Sequence, residues 1–244
     1  MGKSIDKILE FFEIVRELRK KCPWDREQTI KSLTNNLLEE SYEMIYEVEK
    51  NDRDKLREEI GDLILVILMM LAILEEEGED LNKIIGNAIE KIIKRHPHVF
   101  GKEEIKTAED VVSLWEKRKN KDWEKEGKEL PALLRAYKIQ KRARRKGFDW
   151  NDVSGVYEKV KEELDELKKS EDKMEEYGDL LFVVAHIGNF LDINPEIALM
   201  KACDKFVRRF SRLEKIADKK DLKKFSLKEL DELWEKVKKE EKDI

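Results

Sequence analysis

Apolar positions recur every three or four residues along nearly the whole chain. Ile5, Ile8, Leu9, Phe12, Val15 and Leu18 set the pattern at the start, and this spacing lines side chains along one helix face. Alternating stretches with strand composition are missing. The pattern predicts an all-α fold, with helices over about 4–20, 28–50, 53–77, 79–95, 108–124, 131–146, 152–169, 171–191, 194–217 and 226–241. Breaks at Pro23, Gly78, Pro97, Gly127, Pro131 and Asn194-Pro195 punctuate these segments. The charged, apolar-poor stretch from Lys117 to Glu129 reads as a connector. The expected organisation is an N-terminal helical domain over 1–118, a linker over 119–130 and a C-terminal helical domain over 131–244.

The order of motifs repeats. Leu38-Glu39-Glu40-Ser41-Tyr42-Glu43 is echoed by Lys161-Glu162-Glu163-Leu164-Asp165-Glu166, and Glu58-Glu59-Ile60-Gly61-Asp62-Leu63 by Glu175-Glu176-Tyr177-Gly178-Asp179-Leu180. An apolar helix follows in each half, then Lys91-Ile92-Ile93-Lys94-Arg95 in the first and Lys205-Phe206-Val207-Arg208-Arg209 in the second. Trp24 has an approximate counterpart in Trp150. Two copies of one four-helix unit, the second with shorter connections, are the economical reading.

Charged residues make up 44% of the 244, with only 4 Pro and 10 Gly, which favours long solvated helices. The 51 basic and 56 acidic residues leave a formal net charge of −5, so there is no uniform basic field to hold a nucleic acid or an anionic membrane, and neither partner is expected. Cys22 and Cys203 stand far apart without metal-type spacing, which argues for a reducing compartment, the cytoplasm, and against a disulfide scaffold. The longest apolar run, Leu63 to Leu74, is twelve residues and too short to span a bilayer, and the charged, amphipathic N-terminus does not read as a secretory signal.

A single ExxE means little in a chain this charged, where solvated faces with i,i+4 ion pairs are the rule. Position on the helix changes its weight. Leu37, Glu40 and Met44 share a stripe, as do Val160, Glu163 and Leu167, so both glutamates interrupt apolar faces. On the following helices Asp62 precedes Val66 and Met70, Asp179 precedes Val183 and Ile187, and Glu59 and Glu176 stand one turn earlier. The expectation is carboxylates turned toward a bundle interior, where unpaired charge is costly. Basic side chains can compensate them as buried ion pairs. A divalent cation can do so too, since paired carboxylates suit Mg²⁺ or Mn²⁺. Di-iron is disfavoured because no histidine falls in these motifs.

Gly61 and Gly178 sit at the same place in their helices despite the cost of glycine there, and close helix packing is the expected reason. Lys91 with Arg95, and Lys205 with Arg209, share a face and either meet a polyphosphate or form an ordinary solvent face. With no phosphate-binding glycine loop in the sequence, a nucleotide would have to be held by metal and side chains. Neither cysteine has a neighbouring histidine and no Gly-x-Ser-x-Gly elbow exists, so a nucleophilic hydrolase is not expected. His186, on an apolar helix, reads as a satisfied core residue, while His96 and His98 flank Pro97 in a turn.

EExxE followed by ExxD on successive helices occurs twice, with Cys22-Pro23-Trp24-Asp25 before the first copy and Arg95-His96-Pro97-His98-Val99-Phe100 after it. This set resembles the MazG family, nucleoside triphosphate pyrophosphohydrolases of the all-α NTP pyrophosphatase superfamily, over nearly the whole chain. The resemblance implies Mg²⁺-dependent hydrolysis of ribo- and deoxynucleoside triphosphates to monophosphate and pyrophosphate, broad base tolerance and cytoplasmic nucleotide housekeeping. It also implies a homodimer whose four-helix units assemble from paired chains. Carried onto this chain, it makes Glu163, Glu166, Glu176 and Asp179 the metal ligands of the second copy, and Glu40, Glu43, Glu59 and Asp62 those of the first. It makes Glu162 and Glu39 water-orienting catalytic residues, puts Lys205, Arg209, Lys91 and Arg95 on phosphate, and offers Trp234 to the base. Family precedent favours turnover in the second copy. Two departures are the short interval of nine residues between Glu166 and Glu176, and Cys203-Asp204 where the family has an Asn. Rival readings are a catalytically silent helical interaction protein and a narrower dUTPase-like or phosphoribosyl-ATP pyrophosphatase-like hydrolase.

Overall fold

Helices make up the regular structure of the chain in the computed structural model, which describes residues 2–103, 105–107, 110–111, 114, 123–217 and 222–242; among these there is no strand. Most of the expected helix over 108–124 lies outside the described residues. Two compact units divide the chain, Met1–Lys119 and Asn120–Ile244.

The first unit runs through α1 (Gly2–Lys21), α2 (Pro23–Glu27), α3 (Leu33–Lys50), α4 (Arg53–Glu76), α5 (Leu81–Arg95) and α6 (Pro97–Phe100). The helix expected from residue 28 starts later, at Leu33. Thr29 and Ser32 exchange backbone-to-hydroxyl bonds and the Ser32 hydroxyl donates to Gln28, a local alternative to the helical ladder. Between α3 and α4, Asn51 turns left-handed at φ 59° and the Asp52 carboxylate accepts from the backbone N–H groups of Asp54 and Lys55, so two residues reverse the chain. The core joins Val15 of α1, Leu33 of α3 and Val66, Leu68, Met69, Ala72 and Ile73 of α4. The apolar part of α4 is thereby buried, while its opening turns carry Glu59 and Asp62. Arg19 ties this end of the unit together: its guanidinium pairs with Glu76 and donates to the backbone oxygens of Asp25 and Gln28, fixing the Cys22-Pro23-Trp24 turn.

The second unit contains α7 (Ala132–Arg145), α8 (Val153–Lys169), α9 (Lys173–Leu191), α10 (Pro195–Ile216) and α11 (Leu227–Lys242). Asp152, Asp172 and Asn194 cap the starts of α8, α9 and α10 by accepting from backbone N–H groups. Helix α9 packs on α8 and α7, and α10 packs on α7 and α11. Residues 123–130 lie against α7: Glu126 is buried and pairs with Arg142 at 2.7 Å, and Arg135 donates to its carbonyl. His186 is a satisfied core residue. Its Nε2 lies 2.6 Å from Asp149 Oδ1, with Trp150 and Phe190 rings at 5.6 and 5.5 Å, so it pins the turn before α8 onto α9.

Near the end of α9 a Cβ on Gly188 would stand 2.4 Å from the Ile193 carbonyl oxygen, a backbone atom with little freedom to retreat. Gly188→Ala is expected to destabilise the protein by about 1–3 kcal/mol through overpacking, read as a lower urea midpoint; an unchanged midpoint would show that this turn yields freely. Among the described residues no helix is long and apolar enough to cross a membrane.

Candidate metal centre

The reversal at Asn51-Asp52 sets α3 beside α4, so acids on the two helices come into register. Glu40 and Glu43 of α3 meet Glu59 of α4, with one carboxylate oxygen from each lying within 4.8 Å of the others. In the second unit Glu163 of α8 meets Glu176 and Asp179 of α9 at the same closeness. Each trio draws on both helices of its hairpin. Asp62 and Glu166, also in the expected ligand sets, stand outside the trios, although Asp62 is the strongest charge acting on Glu40.

Burial of these acids is graded. Glu163 is buried, Glu40, Glu59, Asp62 and Glu176 are half-buried, and Glu43, Glu166 and Asp179 are exposed. The inward orientation expected of all of them is therefore full only at Glu163, because in this chain each hairpin face is covered incompletely. The same holds for the glycines. A Cβ at Gly61 or Gly178 would meet nothing within 4 Å among the described residues, so packing among these does not account for either.

Among the described residues no basic side chain pairs with Glu40, Glu43 or Glu59 of the first cluster. Partial burial pushes the Glu40 carboxyl above its usual range, and Asp62, Glu43, Glu59 and Glu39 push it further. Glu59 is raised by desolvation, then by Glu43, Asp62, Glu58 and Glu47. The second cluster has a cation of its own. Lys159, one turn before Glu163 on α8, places its ammonium 2.7 Å from a Glu163 oxygen and 2.7 Å from a Glu162 oxygen, and these hydrogen bonds raise its pKa well above the ordinary lysine value. Neither Lys159 nor Glu47 stands out in the sequence. Their only signal is helical spacing, Lys159 four before Glu163 and Glu47 four after Glu43, among 51 basic and 56 acidic residues.

Among the described residues no ion pair joins the basic residues expected to bind phosphate to the acids of either trio. Lys91 and Lys205 are exposed, and Arg95 is half-buried at the end of α5. Arg209 donates to Glu241 of α11 at 2.7 Å; together with Arg208 it holds that carboxyl down at about 2. Trp234 is half-buried, with its ring 5.5 Å from Phe206, so it packs α11 onto α10. Glu39 and Glu162 are exposed beside their clusters.

Clustered carboxylate oxygens with no histidine or cysteine among them fit a hard divalent ion. The raised carboxyls of Glu40 and Glu59 are what an ion would relieve.

An all-α chain with acid-bearing helical hairpins defines the class. Residues 28–100 match the MazG nucleotide pyrophosphohydrolase domain. A Thermotoga maritima protein named nucleoside triphosphate pyrophosphohydrolase/pyrophosphatase MazG is 41% identical over 241 residues, covering 94% of each chain. An Escherichia coli nucleoside triphosphate pyrophosphohydrolase is 35% identical over 261 residues, covering 99% of each. A solved structure of a mazG-related protein from Thermotoga maritima shares 37% identity, with a TM-score of 0.42, covering 46% of this chain and 98% of that one. The chain belongs to the MazG family of nucleotide pyrophosphohydrolases.

Proposed function

We propose that this protein hydrolyses ribo- and deoxynucleoside triphosphates to the monophosphate and pyrophosphate, with Mg²⁺ as cofactor, Mn²⁺ as substitute and broad base tolerance, in cytoplasmic nucleotide-pool housekeeping. The observation that carries the reading is the pair of three-carboxylate clusters, one on each hairpin, in a chain similar along its length to named pyrophosphohydrolases. Glu40, Glu43, Glu59 and Asp62 would hold an ion in the first unit, and Glu163, Glu166, Glu176 and Asp179 in the second. A bound divalent ion supplies charge neutralisation on the triphosphate and a water of lowered pKa.

The chain's own groups do the rest. Glu39 and Glu162, each directly before a ligand in the chain, would orient or deprotonate a water attacking phosphorus. Lys91 with Arg95, and Lys205 with Arg209, would stabilise the departing pyrophosphate, Arg209 exchanging Glu241 for phosphate oxygens. The hairpins also leave large apolar side chains exposed, among them Ile60 and Ile67 of α4 and Leu181, Phe182 and Val184 of α9. This supports a homodimer in which each tandem unit is completed by a second copy of the chain. Pyrophosphate, and not orthophosphate, should be released from purine and pyrimidine triphosphates alike, only with Mg²⁺ or Mn²⁺ present. Orthophosphate as product, or confinement to a single base, would overturn the reading.

A further inference from the structure

The two carboxylate clusters differ in what their own helices set beside them. Glu163 is the most buried acid of either cluster, at 5% exposure, and the Lys159 ammonium 2.7 Å away neutralises it from the same helix. The matching position on α3, one turn before Glu40, is Asn36, which carries no charge. Among the described residues no basic side chain lies within ion-pair distance of Glu40, Glu43 or Glu59. Helix α3 instead adds a further acid one turn beyond Glu43. The Glu47 side chain is 7% exposed, its Oε1 reaches only Lys50 at 3.5 Å, its Oε2 has no hydrogen-bond partner, and its charge acts on Glu59. The corresponding place at the end of α8 is Ser170.

We propose that the first cluster loads with a divalent cation before the second, because Lys159 is a built-in competitor that must leave Glu163 before an ion can bind there. The inference rests on the clusters being the cation sites. A charge-assisted hydrogen bond to a buried carboxylate is among the stronger polar contacts a protein makes, and an ion entering the second cluster has to replace it. The displaced ammonium is not stranded, since Glu162 already holds it at 2.7 Å. At the first cluster no basic side chain among the described residues has to be displaced. An ion there relieves repulsion among Glu40, Glu43 and Glu59, one carboxylate oxygen from each lying within 4.8 Å of the others, and α3 also carries a buried Glu47 oxygen with no hydrogen-bond partner. Asn36 and Lys159 thus set the order of loading, so that at limiting cation the first cluster fills alone.

The test is titration of the full chain with Mn²⁺, followed by the electron paramagnetic resonance of the free ion. Two classes of site are expected, the tighter lost in Glu59→Gln and the weaker in Glu176→Gln. Lys159→Met should tighten the weaker class by about tenfold, and Asn36→Lys should weaken the tighter one. Equal affinities in the unaltered protein, a reversed assignment, or affinities unmoved by both Lys159→Met and Asn36→Lys would overturn the proposal. Absence of any Mn²⁺ uptake would overturn the cation reading of the clusters themselves, a separate failure.

Discussion

Combining Glu59→Gln with Glu176→Gln is expected to lower cation-dependent pyrophosphate release by roughly two to three orders of magnitude. Each residue belongs to the close trio of its hairpin and comes from the helix opposite the EExxE segment; losing Glu59 leaves only the two acids of α3, and losing Glu176 leaves one acid on each of α8 and α9. Glutamine keeps the length of the side chain and is nearly as good a helix former as glutamate. Helicity should therefore be unchanged while turnover falls. The single variants apportion activity between the units, each retaining whatever the intact cluster contributes. Turnover preserved in the combined variant, measured as pyrophosphate produced, would remove both clusters from the chemistry.

A second substitution should separate stability from function. Without divalent cation at neutral pH, Glu40→Gln is expected to stabilise the protein by about 1 kcal/mol, a typical gain from relieving a functional compromise. Desolvation, and then Asp62, Glu43, Glu59 and Glu39, raise the Glu40 carboxyl in the folded chain above its unfolded value. A raised carboxyl is ionised more readily in the unfolded chain. Its cost to stability is full above the folded pKa and fades as the pH falls below the unfolded one. The gain from glutamine should accordingly be present at pH 7 and gone at pH 3. Mg²⁺ should reverse the ranking by stabilising the unaltered protein more than the variant. Thermal melts at the two pH values, with and without the ion, decide it. A lower midpoint for Glu40→Gln at pH 7 in chelated buffer would mean that the carboxylate is already compensated.

Much of this was legible in the chain because the apolar stripes are regular. The helices of the second unit fall within two residues of their predicted spans, and three of the four acids expected in each unit meet in its trio, while Asp62 and Glu166 stand outside. Degree of burial could not be read in the same way. A stripe records which residues share a face of one helix, and says nothing of what covers that face, so the open space at Gly61 and the exposure of Asp179 escape it. The hold of Glu241 on Arg209 is equally hidden, since it joins separate helices without a periodic signature. Lys159 was visible four residues before Glu163, but in a chain so rich in lysine that spacing carries little information until a distance is attached to it.

In the first unit the acids arrive on two helices joined by only Asn51 and Asp52. Segments so near in sequence meet at small entropic cost. The like charges therefore confront each other early in chain collapse, ahead of the longer-range closure of Val15 onto Val66 and Ile73. Their repulsion opposes the zipping of the nascent hairpin as well as burdening the finished fold, and a dication in the surrounding medium would hasten that first step.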